Sequence, residues 1–282
     1  MSSDNSEQIA DWNGPVGERW ARLHLETERL VSPFGLAALD AAAARSGEHV
    51  MDLGCGAGAT TIALGKAVAP EGSVLGVDVS GPLLEVAHAD LADAHLPNVR
   101  FVQADASVAH LPSEIDLVFS RFGIMFFAEP VAAFAHIRRA MSDSGRLVFC
   151  CWRHPRENPW AMTPLVAARK ALNIEQAKAD LNAPGPFAFH DDTRVRAILL
   201  EAGFRDVASE AINRSIALGS SAEEAAERMA RVGPLSRFVR EVGEERAPEV
   251  IDAAAAAMAP HADDTGEIRL AGSAWLITAD AG

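Results

Sequence analysis

The feature that most constrains the fold of this 282-residue chain is a glycine-rich turn that joins an apolar strand to a helix. The sequence predicts a strand over residues 49–53, a turn containing Gly54, Gly56 and Gly58, and a helix over about 60–68. Glycine tolerates positive φ and lets a ligand approach the backbone, and the helix presents unpaired N–H groups at its N-terminus. The turn therefore favours a nucleotide-like ligand over a tight connection without one.

Two cofactor classes fit this turn. The spacing Gly54-x-Gly56-x-x-Ala59 matches the loose dinucleotide fingerprint, in which a pyrophosphate lies at the helix N-terminus. The spacing Gly54-x-Gly56-x-Gly58 is a different pattern, because Asp52 precedes the first glycine by two positions. A carboxylate there repels a pyrophosphate and favours a ligand with an ammonium group or hydroxyl donors. S-adenosylmethionine carries a sulfonium, an ammonium group and ribose hydroxyls.

Strands and helices alternate along the first half of the chain, which predicts a parallel, doubly wound α/β sheet. The predicted strands are residues 49–53, 74–78, 99–102, 115–120 and 146–152, and a helix is predicted over 130–141. Ligands of such sheets bind at the carboxyl ends of the strands. Asp78 ends the second strand about 20 residues after the turn, where a carboxylate can accept from both ribose hydroxyls. Ser120 and Arg121 end the fourth strand and should face cofactor and substrate.

The remaining chain adds helical segments to this core. The predicted organisation is an N-terminal helical segment (1–46), a cofactor-binding Rossmann-like core (47–153), a cap insertion (154–190), a core helix and strand (191–214), a helical insertion (215–266) and a final strand (267–282). Residues 1–10 are expected to be disordered, and helices are expected at about 17–31, 34–45, 220–231 and 237–258. The cap is expected to cover the carboxyl edge of the sheet and to hold the substrate.

Four elements in register resemble the class I S-adenosylmethionine-dependent methyltransferases. They are Asp52 with the glycine turn, Asp78, Asp105-Ala106 after the third strand, and the fourth strand's end at Ser120. The sequence is similar to the small-molecule branch of that family, which includes quinone-biosynthesis methyltransferases. The resemblance covers residues 47–153 well and extends more weakly through 191–212 and the last strand. It implies a mostly parallel, seven-stranded sheet whose last strand, residues 268–278, is antiparallel.

The resemblance also implies roles for individual residues. Asp52 would neighbour the methionine ammonium group or the ribose, and Gly54, Gly56 and Gly58 would let the backbone approach the cofactor. Asp78 would bind the ribose hydroxyls, Val79 would pack on the adenine, Asp105 and Ala106 would hold the adenine, and the Ser120 backbone would reach the methionine end. Two purely structural alternatives remain: Asp78 could be a solvated residue at a strand end, and Asp105 could be a helix N-cap.

Composition narrows the range of partners. The formal net charge of −14, without a run of Lys or Arg, disfavours a nucleic-acid surface. No apolar run approaches the ~20 residues of a membrane span, and the polar, acidic N-terminus does not resemble a signal peptide. The three cysteines suggest neither a disulfide framework nor a zinc site, and no metal is predicted. We expect a cytoplasmic protein, for which a homodimer is compatible with the sequence.

Methyl transfer places few demands on catalytic side chains. The reaction is an in-line displacement from a good leaving group, so much of the catalysis is positioning of the acceptor. If a general base is used, His154 is the candidate, with an ordinary surface histidine as the alternative. Arg121 would orient a substrate carboxylate or carbonyl, or else form an ion pair within the core. Trp12, Trp20, Trp152 and Trp160 would line an aromatic pocket, cover the sulfonium or pack in the core.

The sequence thus predicts S-adenosylmethionine-dependent methyl transfer to an O, N or C atom of a small organic molecule, with S-adenosylhomocysteine as the product. A nicotinamide-dependent oxidoreductase is the first alternative, although the chain has no tyrosine for a catalytic Tyr/Lys pair. A non-catalytic cofactor-binding relative is the second, against which the intact turn and its three acidic residues argue. The fourth strand ends without the Asn-Pro-Pro-aromatic signature of DNA and protein glutamine methyltransferases.

Overall fold

Seven strands in the described part of the chain form one sheet. The computed structural model describes residues 5–175 and 180–282. The strands are β1 (His49–Leu53), β2 (Ser73–Asp78), β3 (Val99–Gln103), β4 (Ile115–Arg121), β5 (Met141–Trp152), β6 (Arg205–Gly219) and β7 (Ile268–Asp280). Their order is β3-β2-β1-β4-β5-β7-β6, with β1 to β5 parallel and β7 antiparallel to β5. The predicted sheet and its antiparallel last strand are therefore confirmed.

Helices connect and flank these strands. They are α1 (Ser6–Asn13), α2 (Pro15–Arg22), α3 (His24–Ala42), α4 (Ala59–Val68), α5 (Gly81–Ala94), α6 (Pro130–Arg138), α7 (Pro159–Ala171), α8 (Asp192–Glu201), α9 (Ala222–Arg231), α10 (Gly233–Val242) and α11 (Ala247–Met258). Among the residues described, no helix is both long and apolar enough to cross a membrane.

The chain forms two units. The first comprises residues 1–152, 181–212 and 274–282, and the second comprises residues 153–180 and 213–273. The first unit therefore contains the glycine turn and the N-terminal helices, whereas α7 and α9 to α11 belong to the second. Residues 176–179 of the predicted cap lie outside the described residues.

The central strands of the first unit have long apolar, buried stretches, because both faces of a parallel sheet are covered. Residues 147–152 of β5 are all buried, as are residues 117–120 of β4. Phe134 of α6 packs against the rings of Phe149, Phe189 and Phe204, with centroids 6.0 to 6.3 Å away. This core fixes the strand ends at which the candidate site lies.

Several element boundaries differ from prediction. The expected disorder over residues 1–10 is wrong for residues 6–10, which belong to α1, and residues 1–4 lie outside the described residues. The expected break near residue 33 is also wrong, because α3 continues through Pro33. The helix expected over 237–258 is two helices, since Gly243 adopts a φ of +99° between α10 and α11. The helix expected over 130–141 ends at Arg138 instead.

Candidate cofactor site

The glycine turn lies between β1 and α4, as predicted. Gly54, Gly56 and Gly58 have φ angles of +64°, +53° and +82°, which residues with a side chain rarely adopt. A Cβ on Gly54 would lie 2.5 Å from Cα of Gly123, in the loop after β4. A Cβ on Gly56 would meet nothing closer than a Leu83 methyl group at 4.0 Å. The turn is therefore pressed against the β4 loop at one glycine and open at the next.

Asp52 lies beneath this turn with 0% of its surface exposed. Its Oδ2 accepts hydrogen bonds from the hydroxyls of Thr60 and Thr61, each at 2.7 Å. Oδ1 has no hydrogen-bond partner among the described residues. Burial raises the pKa of Asp52 to about 6, although the two threonine hydrogen bonds and the Arg121 charge oppose this rise. Asp52 thus anchors the first turn of α4 and keeps one buried acceptor unused.

Asp78 closes the turn from the neighbouring strand. Its Oδ2 accepts from the Gly56 N–H at 2.7 Å and its Oδ1 from the Ser80 N–H at 2.8 Å. Burial raises the pKa of Asp78, and these backbone hydrogen bonds counteract the effect. Asp78 is therefore not a solvated strand end. Each carboxylate oxygen can accept a second hydrogen bond, so both retain capacity for a ligand.

Asp105 follows β3 in a turn, and the N-cap alternative is wrong because residues 104–114 contain no helix. Its Oδ1 accepts from the backbone N–H and the hydroxyl of Ser107, at 2.9 and 2.7 Å. Its Oδ2 accepts from the Asn5 amide at 3.0 Å. Ala106, beside it, is buried.

The structure brings these three carboxylates to one edge of the sheet. Leu53 of β1 pairs with Val77 of β2, and Asp78 pairs with Gln103 of β3, all in parallel register. Parallel strands present their carboxyl ends at the same edge, where ligands of open α/β sheets bind. The sequence prediction that these side chains share a site is consistent with this register.

The end of β4 lies at the same edge of the sheet in the first unit. The Ser120 hydroxyl is buried and donates to the Leu53 carbonyl at 2.7 Å, which ties β4 to β1. Arg121 forms a bidentate ion pair with Glu28 of α3, at 2.7 and 2.6 Å. This is the ion-pair alternative stated for Arg121, and it occupies both terminal nitrogens of the guanidinium.

Phe122 is a feature that sequence reasoning missed. It has a φ of +59°, which is a genuine outlier for a bulky residue. Its ring stacks on Trp152 with centroids 4.1 Å apart and contacts Phe34 edge-on at 5.8 Å. This aromatic cluster, Phe34 with Phe122 and Trp152, lies at the carboxyl ends of β4 and β5. It compensates the backbone strain that turns the chain towards Gly123.

The other tryptophans divide between the two units. In the first unit, the half-buried rings of Trp12 and Trp20 lie 5.6 Å apart, and Phe126 lies 5.7 Å from Trp12. In the second unit, Trp160 is buried and donates its indole N–H to Asn158 at 3.1 Å. Trp160 is thus a packing residue of its own unit.

His154 belongs to the second unit. Its Nδ1 accepts a hydrogen bond from the backbone N–H of Arg156 at 3.1 Å, so the neutral ring carries its proton on Nε2. A general base needs a ring lone pair that can accept the substrate's proton, and the Nδ1 lone pair of His154 instead accepts from the Arg156 backbone. The proposed base role for His154 stays a prediction without geometric support. No group of three His, Cys, Asp or Glu side chains that could hold a metal occurs in the described ranges.

Comparisons with known proteins identify relatives of this arrangement. A family model described as a methyltransferase domain matches residues 50–145. The aklanonic acid methyltransferase DauC of Streptomyces sp. (strain C5) is 29% identical over 150 residues, which cover 53% of this chain and 67% of that protein. The demethylmenaquinone methyltransferase of Lactococcus lactis is 33% identical over 113 residues, covering 39% of this chain and less than half, 44%, of that enzyme. The YcgJ protein from Bacillus subtilis has a similar fold, with a TM-score of 0.57 at 19% identity, covering 87% of this chain and 96% of that one.

Proposed function

We propose that the chain is a class I S-adenosylmethionine-dependent methyltransferase that methylates a small organic molecule with a planar, apolar portion. The observation that carries the cofactor site is the set of three carboxylates, Asp52, Asp78 and Asp105, at the carboxyl ends of adjacent strands around an open glycine turn. The family match over residues 50–145 covers this set. A dinucleotide would bring its pyrophosphate close to the Asp52 charge.

The residues present fit S-adenosylmethionine. The buried Asp52 Oδ1 is an unused acceptor, and its charge favours an ammonium group nearby. The open space beside Gly56 leaves room for a ligand against the backbone. We propose that Asp78 accepts from the ribose hydroxyls and Asp105 from the adenine amino group. Val79 would pack on the adenine, Ala106 would donate its N–H to a ring nitrogen, and the Ser120 backbone would lie near the methionine end.

Catalysis then depends on orientation. S-adenosylmethionine supplies a methyl group on a sulfonium, and the sulfur is a good leaving group because it departs as a neutral thioether without needing a proton. The protein's task is to hold the acceptor atom in line with that methyl group and to exclude water. An acidic acceptor hydroxyl or carbon acid loses its proton to solvent before it binds, so the reaction does not need the His154 lone pair that is used locally.

Aromatic side chains support a planar, apolar acceptor. The aromatic cluster at the ends of β4 and β5, together with the half-buried Trp12 and Trp20, offers ring faces and edges in the first unit. Such surfaces suit a ring system that stacks on them. The net charge of −14 argues against a nucleic-acid acceptor. The three free, buried cysteines support a reducing, cytoplasmic location.

Calorimetric titration tests the cofactor, and label transfer tests the acceptor. We expect S-adenosylmethionine and S-adenosylhomocysteine to bind, and NAD and NADP not to bind. Transfer of label from methyl-labelled S-adenosylmethionine is then followed with aklanonic acid and demethylmenaquinone, the compounds named for the two relatives, and with a hydroxylated aliphatic acid as control. Binding of NAD alone would refute the cofactor site. Transfer to the aliphatic control alone would refute the planar acceptor.

A further inference from the structure

Helix α1 is too short to be stable by itself. It has eight residues, Ser6–Asn13, and isolated helices of fewer than about 12–15 residues are marginal in water. None of its described side chains is buried. Its order must therefore come from specific contacts with the rest of the first unit.

One contact begins at Asn5, the N-cap position of α1. The Asn5 amide nitrogen donates to Asp105 Oδ2 at 3.0 Å, and its carbonyl oxygen accepts from the Ala128 N–H at 3.1 Å. Asp105 Oδ1 already accepts two hydrogen bonds, both from Ser107. Asn5 therefore holds the carboxylate oxygen that is left for a ligand.

The other end of α1 is tied by Asn13. Its amide nitrogen donates to the Val79 carbonyl at 2.8 Å, and its carbonyl oxygen accepts from the Gly81 N–H at 3.1 Å. The same oxygen accepts from the Gln103 amide at 2.9 Å. Asn13 thus connects the turn that follows Asp78 with the end of β3.

Two further contacts reinforce this end. The Ser80 hydroxyl donates to the Trp12 carbonyl at 2.8 Å, and the Trp12 ring packs against Phe126. In α2, a Cβ on Gly17 would lie 1.9 Å from the Trp12 carbonyl oxygen. The glycine therefore permits the close approach of α2 to this junction.

We propose that Asn5 and Asn13 are positioning residues of the cofactor site, which tie α1 to the turns bearing Asp105 and Asp78. This inference rests on the proposed function, because it takes those two carboxylates as the adenine and ribose acceptors. Docking of α1 and binding of the adenosine half of the cofactor are then linked, and each favours the other by the same factor.

Asn98 offers a matched control. Its amide nitrogen also donates to two backbone carbonyls of the first unit, those of Gly65 and Gly72, at 2.9 and 3.2 Å. It precedes β3 and so lies at the amino-terminal edge of the sheet, opposite the proposed site. Asn98→Ala therefore removes a similar number of hydrogen bonds without touching α1.

The experiment is titration of the full chain and its variants with S-adenosylhomocysteine and with adenosine. We expect Asn5→Ala and Asn13→Ala each to weaken both ligands about tenfold, which corresponds to ~1.4 kcal/mol, and Asn98→Ala to bind like wild type. Asn5→Asp should weaken binding further, since it places a like charge beside Asp105. Hydrogen exchange of wild-type residues 6–13 should slow when adenosine binds.

Each outcome decides the proposal. Wild-type affinity in both asparagine variants, or exchange of residues 6–13 that ignores adenosine, would overturn the linkage. Tighter binding by Asn5→Ala would also overturn it, because Asn5 would then be a competitor for Asp105. If Asp78→Ala and Asp105→Ala bind S-adenosylhomocysteine normally, the proposed cofactor site itself fails. If they lose binding while the asparagine variants do not, this inference fails alone.

Discussion

Replacing Asp52 by asparagine should stabilise the fold at neutral pH while impairing the cofactor site. The carboxyl is fully buried, and burial raises its pKa from 3.8 to about 6. Each pKa unit corresponds to about 1.36 kcal/mol, so keeping Asp52 ionised above pH 6 costs folding about 3 kcal/mol. Asparagine removes that cost but leaves an amide N–H where the unused Oδ1 lies, which offsets about 1 kcal/mol.

The net expectation is a gain of about 2 kcal/mol in the free energy of unfolding at pH 7.5. The sign follows from proton binding. Between pH 3.8 and about 6 the native state holds a proton on Asp52 that the unfolded state lacks, so wild-type stability falls as pH rises through this window. Below it both states are protonated, and above it both are ionised, so the contribution is then constant.

Urea unfolding of wild type and Asp52→Asn at pH 4 and pH 7.5 measures this directly. The variant should exceed the wild type at pH 7.5, and the difference should shrink at pH 4. S-adenosylhomocysteine should stabilise the variant less than the wild type, because the buried negative charge is gone. A variant less stable than wild type at pH 7.5 would refute the reasoning: the threonine hydrogen bonds and the Arg121 charge would then outweigh burial.

Three further outcomes are expected. Asp78→Ala should weaken S-adenosylhomocysteine binding at least tenfold in calorimetry while circular dichroism shows an intact fold. The substitution removes a charged acceptor, whose hydrogen bonds are stronger than those of a neutral group. Wild-type affinity would exclude Asp78 from the ribose site. Gly54→Ala should lower the melting temperature more than Gly47→Ala, because both have positive φ but a Cβ at Gly47 meets nothing within 4 Å; equal losses would show that the contact is unimportant. Double-mutant cycles of Arg121→Ala and Glu28→Ala in urea unfolding should give a coupling of about 1–3 kcal/mol; additive losses would show that the pair does not stabilise the first unit.

Sequence reasoning succeeded where local patterns determine structure. Apolar strands, the glycines of the turn and the acidic residues at strand ends each leave a short-range signal, so the sheet and the placement of Asp52, Asp78 and Asp105 were predictable. Thr60 and Thr61, directly after the turn, could have been found as hydroxyl donors for a buried carboxylate. They were missed because helix-forming patterns do not report side-chain hydrogen bonds.

Long-range polar contacts were not predictable. Glu28 meets Arg121 across 93 residues of sequence, and Asn5 meets Asp105 across 100. Helix α1 was expected to be disordered because its order depends on such contacts and not on an apolar face. Phe122 was missed because its positive φ is typical of glycine or asparagine and is stabilised here by stacking on Trp152.

The close approach of Gly54 and Gly123 has a consequence for how this protein can diverge. A Cβ on either residue would come within 2.7 Å of the other's Cα, so each glycine excludes side chains from the other. A substitution at one position cannot be rescued at the second, because every alternative residue adds volume to the same gap. The two positions therefore act as a single evolutionary constraint, and lineages that keep this turn must retain both glycines together or rebuild both loops.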